Sequence, residues 1–118
     1  VGSALLSNAF NTDKTIIEHL RLHVPDQDRE AWLNAEKGSW EKWLDNKSGF
    51  LGRTLFWDPE REEATLMITW ANRFEWKSIP QEEINAVQEQ FEKLAREGTG
   101  NQSGNPFPLL FEGELLPQ

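Results

Sequence analysis

Glu18 is an acid set on an apolar strand face. Residues 16–24 read IIEHLRLHV. With a period of two, Ile16, Glu18, Leu20, Leu22 and Val24 share one side, while His19, Arg21 and His23 share the other. A carboxylate among aliphatic neighbours is poorly solvated when ionised, so its pKa rises and it becomes suited to act as general base on an acidic phenol or quinol. The competing reading is a strand-end carboxylate that reaches solvent or a backbone N–H, the commoner fate of acids, which are seldom fully buried. Trp70 opens the second chemistry-bearing stretch, ITWANRFEWKSIP over residues 68–80. It is either the wall of a binding site or a large piece of core, and both roles need the same burial. Trp40, Trp43 and Phe74 are candidates to line the same space, with Leu20 and Leu22 beside Glu18. Core packing is the more frequent role for rings on a helical stripe.

His19, Arg21 and His23 form a basic row. Together with Glu112 and Glu114 the two histidines are acceptable metal ligands. Residues four apart on a strand, however, lie about 13 Å apart, beyond the reach of one ion. No metal site is therefore expected, and cross-strand charge pairing between the row and the two glutamates accounts for both. Arg53 falls in FLGRTLFW, where apolar residues occupy both faces. That pattern fixes no direction for it, and an anionic ligand and a neighbouring acid are both open as its partner. No glycine-rich phosphate loop follows a strand, and no serine or threonine nucleophile has a histidine at a suitable spacing.

The chain that must position these residues has 118 of them, enough for one domain of common size. Its net charge of −8 repels phosphate backbones and anionic membrane surfaces, so neither nucleic acid nor membrane is expected as a partner. No apolar run reaches the roughly 20 residues that span a bilayer, and a cytoplasmic protein is expected. Cysteine is absent, which excludes disulfides, thiol catalysis and cysteine–metal sites. Tyrosine is absent as well, yet six tryptophans and seven phenylalanines need a core, a pocket or an interface to bury them. The first ten residues, VGSALLSNAF, have a small, apolar character. Without a charged n-region they read as a trimmed terminus, with a leader remnant and an exported precursor as the alternative.

After an N-terminal tail over 1–15, a single domain is expected over 16–118. The strand of residues 16–24 leads through Pro25-Asp26 into a helix, in which proline and the acids 26, 28 and 30 suit the first turn. Trp32, Leu33, Glu36, Trp40, Trp43 and Leu44 mark its inward face, and Gly49 ends it. Residues 50–57 and 63–70 read as a hairpin across the turn Asp58-Pro59-Glu60-Arg61. Asn72 and Glu75 resemble a capping box on a short helix. Pro80 opens a longer helix with Ile84, Val87, Phe91 and Leu94 buried, and Gly98 is expected to close it. A glycine-, asparagine- and proline-rich loop leads to a last alternating strand over 109–115. The order β-α-β-β-α-β is the ferredoxin-like arrangement. In it the first and third strands are central and antiparallel, which brings Glu18 beside Trp70. Both helices lie on one face, and the other face needs a cover, most commonly a second copy. The last strand, on its loop, is in reach of that copy.

This order, together with Trp70-Ala71-Asn72-Arg73-Phe74-Glu75-Trp76 at the end of the third strand and the strand start Ser48-Gly49-Phe50-Leu51-Gly52, resembles the dimeric α/β-barrel superfamily. Within it the chain is similar to antibiotic-biosynthesis-monooxygenase-like domains, and the string from Ala35 to Pro59 to an uncharacterised cyanobacterial branch. The resemblance covers about residues 16–115. It implies a homodimer closed through the open sheet face. It also implies either cofactor-independent monooxygenation of an aromatic substrate, with Glu18 as base and Trp70 as wall, or no chemistry at all, since fold does not dictate activity. Haem-degrading relatives use an asparagine on the first strand, a tryptophan ending the third and a histidine in the next helix. Glu18 and Trp70 fall at the first two positions, but no histidine follows His23. No cofactor is expected. The alternatives are a non-catalytic dimeric module whose core is filled by its own side chains, and a haem-binding protein without degradation activity.

Overall fold

Alternation along each strand decides which side chains meet. In the computed structural model, which describes residues 14–118, β1 (Ile16–His23), β2 (Phe50–Asp58), β3 (Glu63–Trp70) and β4 (Leu109–Leu115) form one antiparallel sheet in the order β2-β3-β1-β4. The first ten residues, read as a trimmed terminus or a leader remnant, lie outside the described residues. Ala64, Leu66, Ile68 and Trp70 are buried in strict alternation along β3. Its register then assigns the inner face of its neighbours. Ile16, Glu18, Leu20 and Leu22 of β1 face those four residues from one side, and Phe50, Arg53, Leu55 and Trp57 of β2 face them from the other. The expected ferredoxin-like βαββαβ order holds, with the short additional helix that Asn72 introduces.

The first helix, α1, is composite over residues 26–44. A 3₁₀ turn Asp26–Asp28 leads into an α-helical run Arg29–Glu36, a π segment Lys37–Glu41 and a last α turn Lys42–Leu44. The π segment takes more residues per turn. Ser39 is consequently buried and Trp40 only half-buried, and Ser39 Oγ donates to the Ala35 carbonyl at 2.6 Å. Leu33, expected on the inward face, is 38% exposed, and Ala35 is buried in its place. The short helix α2 (Arg73–Lys77) begins at Asn72, whose Oδ1 accepts from the Glu75 N–H at 2.8 Å, as the capping pattern predicts. The long helix α3 (Gln81–Thr99) begins after Pro80 and is capped two residues beyond the expected glycine, by Gly100 in the left-handed conformation. Gly98 lies within the helix, where the lack of a side chain lets α1 approach closely: an added Cβ would lie 2.9 Å from the Ala31 Cβ.

Two buried clusters fill the space between sheet and helices. One gathers Leu22, Val24, Trp32, Leu66, Phe91 and Phe107, and the other Ile16, Leu44, Ile68 and Trp70. Leu20 packs against both. At ~1.5–3 kcal/mol for each large apolar side chain removed from water, these clusters hold the sandwich together.

One expectation about the last strand is corrected. The β1–β4 register sets Glu114 opposite Glu18 and Glu112 opposite Leu20, so both glutamates lie on the helix side of the sheet, not with the basic row. Glu114 instead receives two hydrogen bonds from Arg73, at 3.0 and 3.2 Å. Arg21 lies over the Phe111 ring, 4.5 Å from its centroid, and 4.0 Å from Glu63. His19 packs on the same ring. The last strand pairs with β1 of its own chain, at the edge of the sheet. Phe56, Phe111 and Leu115 stay 53, 37 and 43% exposed, and the register puts all three on the outer face.

Candidate functional site

A cavity of about 390 Å³ opens between the sheet and the helices, lined by residues of both clusters. Glu18, Leu20, Leu22, Trp40, Trp43 and Trp70 all border it. Phe74 does not. It is 65% exposed at the start of α2, and Trp76 lines the cavity instead. At about 100° per residue, two positions along a helix turn a side chain to the opposite side. Trp76 stacks on Trp70 with ring planes 11° apart and centroids 6.4 Å apart.

Trp70 is core and wall together. It is 1% exposed, it meets the Phe50 ring edge-on at 5.9 Å, and its indole N–H donates to Glu18 Oε1 at 3.2 Å. Burial pushes the Glu18 carboxyl above the ordinary carboxylate range. The Trp70 hydrogen bond and Lys77 oppose that rise, while Glu112 and Glu114 add to it. Trp40 and Trp43 meet edge to face at 5.4 Å. Their indole N–H groups are held by Gln88 at 3.2 Å and Glu83 at 2.9 Å, both on α3. Each polar tip is therefore satisfied without using the cavity, and the rings offer it their carbon surface.

The wall also carries a second polar feature that sequence patterning left unassigned. Arg53 faces inward and Glu36 comes down from α1 to meet it, Nη1 donating to Oε1 at 2.5 Å, with the side chains only 8 and 2% exposed. Burial raises the Glu36 pKa, and the adjacent Arg53 charge and hydrogen bond oppose that rise. Arg53 Nη2 is buried with no hydrogen-bond partner among the described residues. An acid on an apolar helical stripe, matched to a cation within an apolar strand, was the signal available in the sequence. The strand's phase hid it, because an extra residue between Phe50 and Gly52 shifts the alternation.

The polar groups follow the register. Glu18 and Arg53 both stand opposite Ile68, one on each side of it. The cavity floor thus runs from an acid, across an aliphatic side chain, to a guanidinium two strands away, about 10 Å between Cα atoms. Both histidines lie on the outer face, and among the described residues no cluster of three or more metal-ligating side chains occurs. No helix among the described residues is long and apolar enough to cross a membrane.

No protein-family model and no curated protein matches the sequence. Solved structures do match the fold. A monooxygenase from the Streptomyces coelicolor gene ActVA-Orf6, solved with the ligand nanaomycin D, superposes with a TM-score of 0.61 at 14% identity, covering 90% of this chain and 89% of that one. Rv0793 from Mycobacterium tuberculosis gives 0.56 at 13%, covering 89 and 96%. SnoaB from Streptomyces nogalater, a cofactor-independent oxygenase, gives 0.51 at 10%, covering 88 and 91%. The fold is shared with these three proteins, and it is the four-stranded ferredoxin-like arrangement that the order of elements implies.

Proposed function

We propose that residues 16–118 act as a single domain that binds a planar aromatic ligand between sheet and helices, and that Glu18 takes a phenolic proton from it. The carrying observation is the Glu18 carboxyl, half-buried beside an apolar cavity and held by the Trp70 N–H at 3.2 Å. A carboxylate of raised pKa is a stronger base than one in water, and a fixed N–H keeps it oriented. The electron-rich phenolate is then open to attack by dioxygen, the oxidant. The ring carbon gains one oxygen as a carbonyl and loses its hydrogen, and the second oxygen leaves as water with the proton returned by Glu18. No cofactor takes part, in keeping with the oxygenase of shared fold. On a verified phenolic substrate, Glu18→Gln abolishes turnover and leaves binding in place; unchanged turnover removes Glu18 from the chemistry.

The filled-core reading is disfavoured by the cavity itself. For haem, the residues do not fit: the chain has neither cysteine nor tyrosine, and its two histidines face away from the cavity. Titration with hemin, followed in the Soret band, is expected to show no shift. Phe56, Phe111 and Leu115 on the outer face support a homodimer closed through that face.

A further inference from the structure

We propose that Arg53, held in place by Glu36, anchors an uncharged carbonyl oxygen of the ligand at the end of the cavity away from Glu18. The proposal rests on the cavity being a ligand site and adds to that reading the group that orients the ligand.

A buried guanidinium has five N–H donors. Here Nη1 is committed to Glu36, while Nη2 is buried without an acceptor among the described residues. An unmet donor on a buried charged group is unfavourable, and a ligand acceptor relieves it. Among the described residues that line the cavity, the charged ones are Glu18, Glu36, Arg53 and Glu112. The one cation is matched by Glu36, and the two remaining acids repel an added negative charge. A carboxylate ligand is therefore disfavoured and a ketone or quinone oxygen, which accepts without bringing charge, is favoured. Because Glu18 and Arg53 flank Ile68 from opposite sides, the ligand that satisfies both carries a hydroxyl at one edge of an aromatic plate and a carbonyl at the far edge.

Three probes test this: 2-naphthol, 6-acetyl-2-naphthol and 6-hydroxy-2-naphthoate, titrated by fluorescence into the full chain and into the double variant Arg53→Met/Glu36→Gln. The double variant replaces the pair together, so that no buried charge is stranded, and its circular dichroism spectrum and cooperative thermal melt report that it is folded. The expected result is that the wild type binds the acetyl compound roughly tenfold or more tightly than 2-naphthol, that the carboxylate gains nothing, and that the variant loses the acetyl preference. Equal binding of 2-naphthol and its acetyl derivative by the wild type, or an acetyl preference that survives in the variant, overturns the role of Arg53 and leaves the cavity reading standing. Tighter binding of the carboxylate than of the ketone overturns the choice of a carbonyl. Failure of all three probes to bind overturns the cavity reading and this proposal with it.

Discussion

Removing Arg53 alone should be far more damaging than removing it together with its partner. In Arg53→Met the Glu36 carboxylate, 2% exposed and bonded to Arg53 at 2.5 Å in the native protein, is left in an apolar wall. So deep a pair needs no discount for solvent screening, and stranding one member of such a pair costs ~3–5 kcal/mol. A chain of this length has about 6–18 kcal/mol to lose, so the melting temperature should fall by roughly 10–20 °C. The pH dependence identifies the cause. Burial already holds the Glu36 pKa above its ordinary value, and without the guanidinium it rises further. A carboxyl whose folded pKa exceeds its unfolded one binds more protons in the native state, so stability is lost as pH climbs from the ordinary range, about 4.3, through the raised value. Urea unfolding of the variant should therefore show a large penalty at pH 7.5 and a much smaller one at pH 4.5. In Arg53→Met/Glu36→Gln the penalty at pH 7.5 should shrink to within about 2 kcal/mol of wild type. A single-variant penalty below about 1 kcal/mol, or one equal at both pH values, would show that Glu36 is not a buried charge depending on Arg53.

Glu18→Gln keeps an oxygen to accept the Trp70 N–H but does not titrate. Since desolvation raises the Glu18 pKa, the variant's stability relative to wild type should increase from pH 4.5 to pH 8, read from paired urea midpoints; a constant difference contradicts a desolvated Glu18. Gly98→Ala should destabilise despite a helix-propensity gain of about 1 kcal/mol, because its Cβ would lie 2.9 Å from that of Ala31 and overpacking costs ~1–3 kcal/mol. Ala31→Gly in the same chain should recover part of the loss in a thermal melt, and a rise in melting temperature for Gly98→Ala alone excludes the close approach. Phe56→Glu should halve the mass seen by light scattering if the outer face joins two copies, and an unchanged mass assigns the contact to another surface.

The fold was legible because its signals are periodic. Alternation in residues 16–24 and 63–70, a proline and acids opening each long helix, and Asn72 three before Glu75 all act locally. The order of elements then sets Glu18 beside Trp70. What escaped were the places where the period breaks. The π segment moves Ser39 inward in place of Trp40, and two residues of helical rotation separate exposed Phe74 from Trp76. The side occupied by Glu112 and Glu114 depends on the β1–β4 register, which shifts between Arg21 and Leu22. Each of these is a matter of counting along the backbone, to which residue composition is blind. The empty volume is harder still to read, since apolar residues that fill a core and those that border a cavity are the same types.

The extra residue between Phe50 and Gly52 has a consequence for how the chain tolerates insertions and deletions. Phe50 and Arg53 are an odd number of positions apart, yet both face inward, because Gly52, with φ +149°, restarts the alternation. β2 therefore has two independently phased halves. The half bearing Arg53 takes its phase from the turn after Asp58, and the half bearing Phe50 takes its own from the connection that leaves α1. A length change in that connection can be absorbed at Gly52, as at a slip joint, without turning the guanidinium out of the cavity. The charge in the wall is insulated from variation at one end of its strand and exposed to it at the other, where a single residue gained or lost in the turn would reverse its side.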